Sequence, residues 1–192
     1  LLDALGILGA VTLAGLSMGG YAALAFARRH PQRLRALILA NTRAEPDDET
    51  AKANRNRLIA DAVNKTAAEI FEPMLPRMVS PITLSQRPEL VAEIRRLVTE
   101  QTPQAIVAAT QALRDRPDAR PFLARMTVPT LVISGQDDVI TPPPVLQSLA
   151  AGIPSARLET IPDAGHLTNL EQPARFNKAV TMFLRSLQPA PI

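Results

Sequence analysis

The chain has 192 residues, of which 46% are hydrophobic and 20% charged, with a formal net charge of +3. That length predicts one domain with room for an insertion, and a chain of this size buries roughly 70% of its unfolded surface, enough for a core without staples. The absence of cysteine excludes disulfide frameworks, thiolate zinc sites and a catalytic cysteine. Two histidines far apart in the chain, His30 and His166, argue against a histidine-rich metal centre, and no metal or organic cofactor is expected. The weak charge, 3% aromatic content and lack of tryptophan argue against a nucleic-acid partner. No apolar run approaches the ~20 residues of a membrane span, and no basic-then-apolar leader is visible, so a cytoplasmic protein with no membrane partner is expected.

Residues 1–10 read as the end of a helix, with Leu1, Leu2 and Leu5 on one side and Gly6 as its stop. Val11 to Leu16 is a short β-branched apolar run, read as a buried strand, and the Ala-rich stretch from Tyr21 to Arg29 is read as a helix stopped by Pro31. Arg35 to Asn41 supplies the next strand. Strand, helix and strand within about 30 residues form a βαβ unit, hence a parallel sheet.

Residues 43–125 break that rhythm. Leu90, Ile94, Leu97 and Val98 share one helical face, and Thr102 with Pro103 has the form of a helix start. Pro73, Pro76, Pro81 and Pro88 separate short helices. An all-helical insertion between parallel strands reads as a cap, which leaves 1–42 and 126–192 as an α/β core. Pro129 to Gly135 and Arg157 to Ile161 then give two further strands, with a helix around Val145–Ala151 between them. Phe176, Ala179, Val180, Phe183, Leu184 and Leu187 form the apolar stripe of a closing helix. The predicted fold class is therefore α/β, a parallel sheet of about four strands flanked by helices.

Three segments carry chemistry. Gly15-Leu-Ser-Met-Gly19 fits G-x-S-x-G at a strand-to-helix turn. A serine on such a turn takes a strained conformation, and small residues at Gly15 and Gly19 let the chain pass without clashes. The hydroxyl of Ser17 then projects above the sheet, with the helix N-terminus and the Met18 N–H facing a developing oxyanion. A nucleophilic serine needs a base, and the base an orienting carboxylate. His166 lies just past the last strand and before the final helix, whereas His30 sits at a helix C-terminus, an ordinary surface position. Asp137 and Asp138 follow the 130–135 strand at its carboxyl end, where open parallel sheets build their sites; Asp163 is a rival too close in sequence to reach behind the ring.

The order Ser, Asp, His at successive strand ends resembles the α/β-hydrolase fold. Gly15-Leu-Ser-Met-Gly-Gly20, Leu131-Val-Ile-Ser-Gly-Gln-Asp-Asp138 with Thr141-Pro142, and Ala164-Gly-His166 with Glu171-Gln-Pro173 and Phe176 all look like that superfamily's catalytic segments. They resemble its cap-bearing esterases and lactonases. By that resemblance the acid matches Asp138, and serine at the elbow argues against dehalogenase and epoxide-hydrolase chemistry. The implied activity is hydrolysis of a small-molecule carboxylic ester, with a lactonase, thioesterase or perhydrolase on the same residues as the alternative. Phe71, Met74, Leu75 and Met78 are expected either to shape an apolar acyl pocket or to form the cap's own core.

The resemblance also implies four strands before the elbow and a loop donating a second oxyanion N–H, and this sequence carries neither. A catalytically weak remnant is therefore a rival expectation. The strand at 11–16 would lack a neighbour on one side, and such an edge invites pairing. A homodimer through residues near 1–21 is expected, in which the partner chain covers the acyl site and supplies the missing donor.

Overall fold

In the computed structural model, which describes residues 1–187, the βαβ unit forms as β1 (Val11–Leu16), α1 (Met18–Arg29) and β2 (Leu34–Ala40). A 3-10 turn over Asp3–Leu5 precedes it and ends at Gly6, whose φ of 69° is the left-handed cap that glycine accepts without penalty. The opening segment is thus a single turn and not a helix end. Its apolar side does not bury: Leu1 is 92% exposed and Leu8 80%. What holds it is polar, since Arg33 pairs with Asp3 at 2.7 Å and donates to the Ile7 carbonyl.

Seven helices follow before the next strand. They are α2 (Glu49–Asp61), α3 (Ala67–Phe71), α4 (Leu75–Met78), α5 (Pro81–Gln86), α6 (Pro88–Thr99), α7 (Pro103–Arg114) and α8 (Arg120–Leu123). Their starts are written locally. Asp48 accepts from Ala51 N–H at 2.7 Å, Thr66 and Glu69 form a reciprocal capping box, and Ser80 and Thr102 cap α5 and α7. Pro81, Pro88 and Pro103 open helices, because the first turn needs no N–H from them. Phe71, Leu75, Val79, Val91 and Ile94 form a core belonging to this insertion. The buried stripe of α6 is centred on Val91 and Ile94, so Leu97, expected inside, is 40% exposed.

The α/β rhythm resumes with β3 (Thr130–Gly135), α9 (Pro143–Ala151), β4 (Ala156–Ile161), α10 (Thr168–Glu171) and α11 (Pro173–Ser186). The strands pair in the order β1-β2-β3-β4, all parallel. The central strands are apolar throughout because a parallel sheet is covered on both faces. Alternation divides β2 cleanly: Leu37 and Leu39 pack with Ala23, Leu24, Leu146 and Leu149 of α1 and α9, while Ala36, Ile38 and Ala40 face Phe183 of α11. β1 is only half-buried and has a strand neighbour on one side alone among the described residues. No helix among them is long and apolar enough to cross a membrane.

Candidate active site

Each candidate residue stands at or just beyond the carboxyl end of a strand, where a parallel sheet leaves backbone and side chains free to converge. Ser17 is the single residue between β1 and α1, with φ 50° and ψ −114°, a conformation that costs a non-glycine residue free energy. Three hydrogen bonds hold it there. Its N–H donates to the Ala40 carbonyl at 2.9 Å, and its carbonyl accepts from Gly20 N–H and Thr42 Oγ1, each at 2.9 Å. Gly15 is required by close approach, since a Cβ there would lie 2.2 Å from the Gly19 carbonyl oxygen. Gly19 is different: a methyl at that position meets nothing within 4 Å outside its own helix. The two small residues expected to act symmetrically do not. Met18 is the first residue of α1, so its N–H has no acceptor within the helix and lies at the positive end of the helix dipole.

The His166 ring, only 2% exposed, bridges the other two side chains. Its Nε2 is 2.8 Å from Ser17 Oγ and its Nδ1 is 2.9 Å from Asp138 Oδ2. With Nδ1–H donating to the carboxylate, the Nε2 lone pair faces the serine hydroxyl. The loop carrying His166 is pinned from the cap, because the His166 and Leu167 N–H groups both donate to the Met78 carbonyl, at 3.1 and 3.2 Å.

Asp138 accepts more than the imidazole. Ile140 N–H, Thr141 N–H and Thr141 Oγ1 donate to it, as does Asn41 Nδ2 at 2.9 Å. Burial alone would raise its pKa, but the hydrogen bond and charge of His166, with Thr141 and Asn41, outweigh burial and hold it at about 2. The carboxylate is therefore an anion at neutral pH. Asp137 is half-buried beside it with its N–H on the Ala164 carbonyl, and Asp163 occupies a turn at φ 57° with its carbonyl accepting from Gln172. Neither joins the ring. His30 is exposed beyond α1, its own ring 5.2 Å from that of Phe26.

Two further residues complete the site, Asn41 and the Glu171 of the Glu171-Gln-Pro173 segment, neither with a role legible in the sequence. Asn41, at φ 47°, donates to Asp138 and to the Gly165 carbonyl while its Oδ1 accepts from Thr168 at 2.7 Å. Glu171, 2% exposed, takes Gly165 N–H on one oxygen at 2.8 Å and Ser80 N–H and Thr83 Oγ1 on the other, at 2.6 and 2.9 Å. It ties the start of α5 in the cap to the loop that carries His166.

A cavity of about 410 Å³ is lined by sequence neighbours of this constellation, while Ser17, Asp138 and His166 are not on its wall. Its wall includes Tyr21, one turn beyond Ser17 on α1, Arg43, next to Thr42, and Ile140, two residues past Asp138. Phe71 and Leu75 sit in the cap's own core, Met78 packs against that core, and of the four expected acyl-pocket residues Met74 is the one on the cavity wall. The rest of that wall is mixed, with Ala51 and Leu58 beside Asn54, Arg55, Arg77, Arg116 and Asp47.

A family model for the alpha/beta hydrolase family matches residues 1–179. The chain belongs to that family. The alpha/beta hydrolase fold recurs in a thermophilic esterase from Thermogutta terrifontis, 40% identical with a TM-score of 0.95, covering 98% of this chain and 69% of that one. It recurs in the enol-lactonase of Burkholderia xenovorans, 30% identical with a TM-score of 0.87, covering 96% of this chain and 69% of that one. Among curated proteins, 3-oxoadipate enol-lactonase 2 of Acinetobacter baylyi is 31% identical over 174 residues, 91% of this chain. The chain spans 63% of that relative's length.

Proposed function

We propose that the protein is a serine hydrolase of carboxylic esters. The observation that carries this reading is the continuous relay from Asp138 through His166 to Ser17, with contacts of 2.9 and 2.8 Å. Ser17 Oγ attacks the ester carbonyl as its proton passes to His166 Nε2. Asp138 holds the ring in the correct tautomer and stabilises the imidazolium without itself taking the proton. The carbonyl oxygen becomes an oxyanion against the Met18 N–H and the dipole of α1. Collapse breaks the C–O bond, and His166 returns the proton to the departing alcohol. Water, deprotonated by the same Nε2, then attacks the acyl-serine, releasing the acid and restoring Ser17.

The Met18 N–H is the donor that α1 supplies to this oxyanion, and losing a donor typically costs about 10²–10³ in turnover. A lactone is the second substrate class, favoured because two of the relatives above are enol-lactonases. Chemically it differs only in that the leaving alcohol stays tethered to the acyl group. The test is hydrolysis of p-nitrophenyl butyrate by the wild type and by Ser17→Ala. The variant should lose on the order of 10³-fold or more in kcat at unchanged Tm. Comparable turnover in both proteins would remove Ser17 from the mechanism.

A further inference from the structure

β4 closes the sheet on the side away from β1, and among the described residues no strand lies beyond it. A strand of a parallel sheet is ordinarily covered on both faces and apolar throughout. β4 departs from that rule, since Arg157, Leu158, Glu159 and Thr160 are all exposed. Neither charge in it has an ion-pair partner among the described residues. Arg157 donates to Ser186 Oγ at 3.1 Å, and the Glu159 carboxylate accepts nothing.

The register with β3 fixes which backbone groups point outward. Thr130 N–H donates to the Ser155 carbonyl at 3.4 Å, and Gln136 N–H to the Ile161 carbonyl at 2.9 Å. Successive residues of a strand face opposite sides, so Arg157 and Glu159 also turn their N–H and C=O groups to β3. Ala156, Leu158 and Thr160 turn theirs to the free edge. The Ala156 N–H is taken by the Ile153 carbonyl at 3.1 Å. The edge thus offers the Ala156 carbonyl and both groups of Leu158 and of Thr160.

We propose that β4 is the interface for a second copy of this chain, paired antiparallel about a two-fold axis through Leu158. A two-fold sets a strand against itself, so outward residues must meet outward residues. The axes that keep most of β4 paired on that condition fall on Arg157, Leu158 or Glu159. An axis on Arg157 sets guanidinium against guanidinium, and one on Glu159 sets carboxylate against carboxylate. An axis on Leu158 sets each Arg157 opposite the partner's Glu159. Opposite charges at facing positions stabilise a strand pair and like charges oppose it, so the charges choose this register. Leu158 then exchanges both hydrogen bonds with its own copy, and Thr160 N–H reaches the partner's Ala156 carbonyl. Arg157 and Glu159 occupy the intervening pairs, where facing side chains approach most closely. The other edge, Val11–Leu16, carries no charge that would choose a register. Arg175 and Lys178 border the β4 edge from α11, which makes Glu159 the scarcer charge there. Antiparallel pairing also turns the carboxyl ends of the two sheets in opposite directions, so the two Ser17–His166 sites stand apart and neither is covered.

The experiment measures the dimer Kd by sedimentation equilibrium in wild type, Arg157→Glu, Glu159→Arg and the charge-swapped double variant, with circular dichroism to show that each is folded. One strand and its flanks belong to the weak, concentration-dependent interfaces below about 1,200 Å². Glu159→Arg should raise Kd about tenfold and Arg157→Glu about threefold or more, because each sets two like-charged pairs face to face. The double variant restores both pairs and should return to the wild-type value. The two single variants mixed together should associate better than either alone. Position is read separately, since the sequence has no cysteine and one introduced thiol reports its own neighbour. Leu158→Cys should oxidise to a covalent dimer, because facing Cα atoms ~5.5 Å apart lie within disulfide reach. Thr160→Cys should not, since its copy stands four residues along the strand, ~14 Å away. A monomeric wild type, single variants that associate like wild type, a double variant no better than the singles, or a Leu158→Cys chain that does not cross-link would overturn the proposal.

Discussion

At the scale of single residues, the Asp137-Asp138 pair offers the sharpest contrast, because adjacent identical side chains have different neighbours. Asp138 touches His166, Asn41 and Thr141, whereas Asp137 stands outside that network. We expect Asp138→Asn to lower kcat by up to about 10⁴-fold, the scale set by loss of the correct tautomer in serine proteases, and Asp137→Asn to change it less than about threefold. Steady-state kinetics on one p-nitrophenyl ester decides it, and the opposite order would move the acid one residue back. The lowered pKa of Asp138 also has a consequence for stability. A carboxyl at about 2 when folded, against 3.8 when unfolded, stabilises the fold above pH 4 and loses that contribution as pH falls from about 4 to 2. Acid-unfolding curves followed by circular dichroism should therefore be shallower for Asp138→Asn than for wild type in that window. Ser17 and His166 stand out in the sequence because each sits at a strand end with a local signature, whereas the choice of Asp138 over Asp137 comes from the family resemblance. Asn41 is not legible, because its partner Asp138 lies 97 residues away and a lone polar residue after a strand has no pattern of its own. Glu171 stands in a segment that resembles the family's, but its role is not legible, because Ser80 lies 91 residues away.

At the scale of elements, the strand-to-helix turn and the cap–loop tie carry the geometry. The turn works because β1 and α1 touch backbone to backbone at Gly15, where any side chain must push the helix away. Gly15→Ala should destabilise the fold by several kcal/mol, as overpacking and backbone displacement do, while Gly19→Ala should stay within about 1 kcal/mol. Thermal unfolding of the pair measures the difference, and similar losses would mean that the elbow tolerates a Cβ on either side. The tie is Glu171. Replacing it with alanine leaves the N–H groups of Ser80 and Gly165 and the hydroxyl of Thr83 short of an acceptor, at a cost of about 1–3 kcal/mol for each buried group left unpaired. If the tie matters only for folding, Tm falls alone; we expect kcat to fall as well, because the loop holding His166 loosens. Helix and strand positions followed from periodicity, proline and caps. The first segment did not, because Leu1, Leu2 and Leu5 mimic an apolar stripe that finds no surface to cover.

At the scale of the molecule, β1 and β4 are the two edge strands of the described sheet. Among the described residues β1 has no strand on its outer side, and Leu1, Leu5 and Leu8 just ahead of it are 92%, 63% and 80% exposed. The 192-residue chain as it stands is expected to self-associate through this region, so light scattering at micromolar concentration should give a mass at least twice 20.7 kDa. A well-behaved monomer would mean that the edge is tolerated or covered by other means. None of this matters if Ser17 is not activated, and one measurement asks that directly. A fluorophosphonate reacts only with a serine whose proton a neighbouring base can take, so treated protein should gain one adduct, which peptide mapping places on Ser17. The adduct should disappear in Ser17→Ala and fall by orders of magnitude in His166→Ala. An unlabelled wild-type chain, or an adduct on any other serine, would contradict the account.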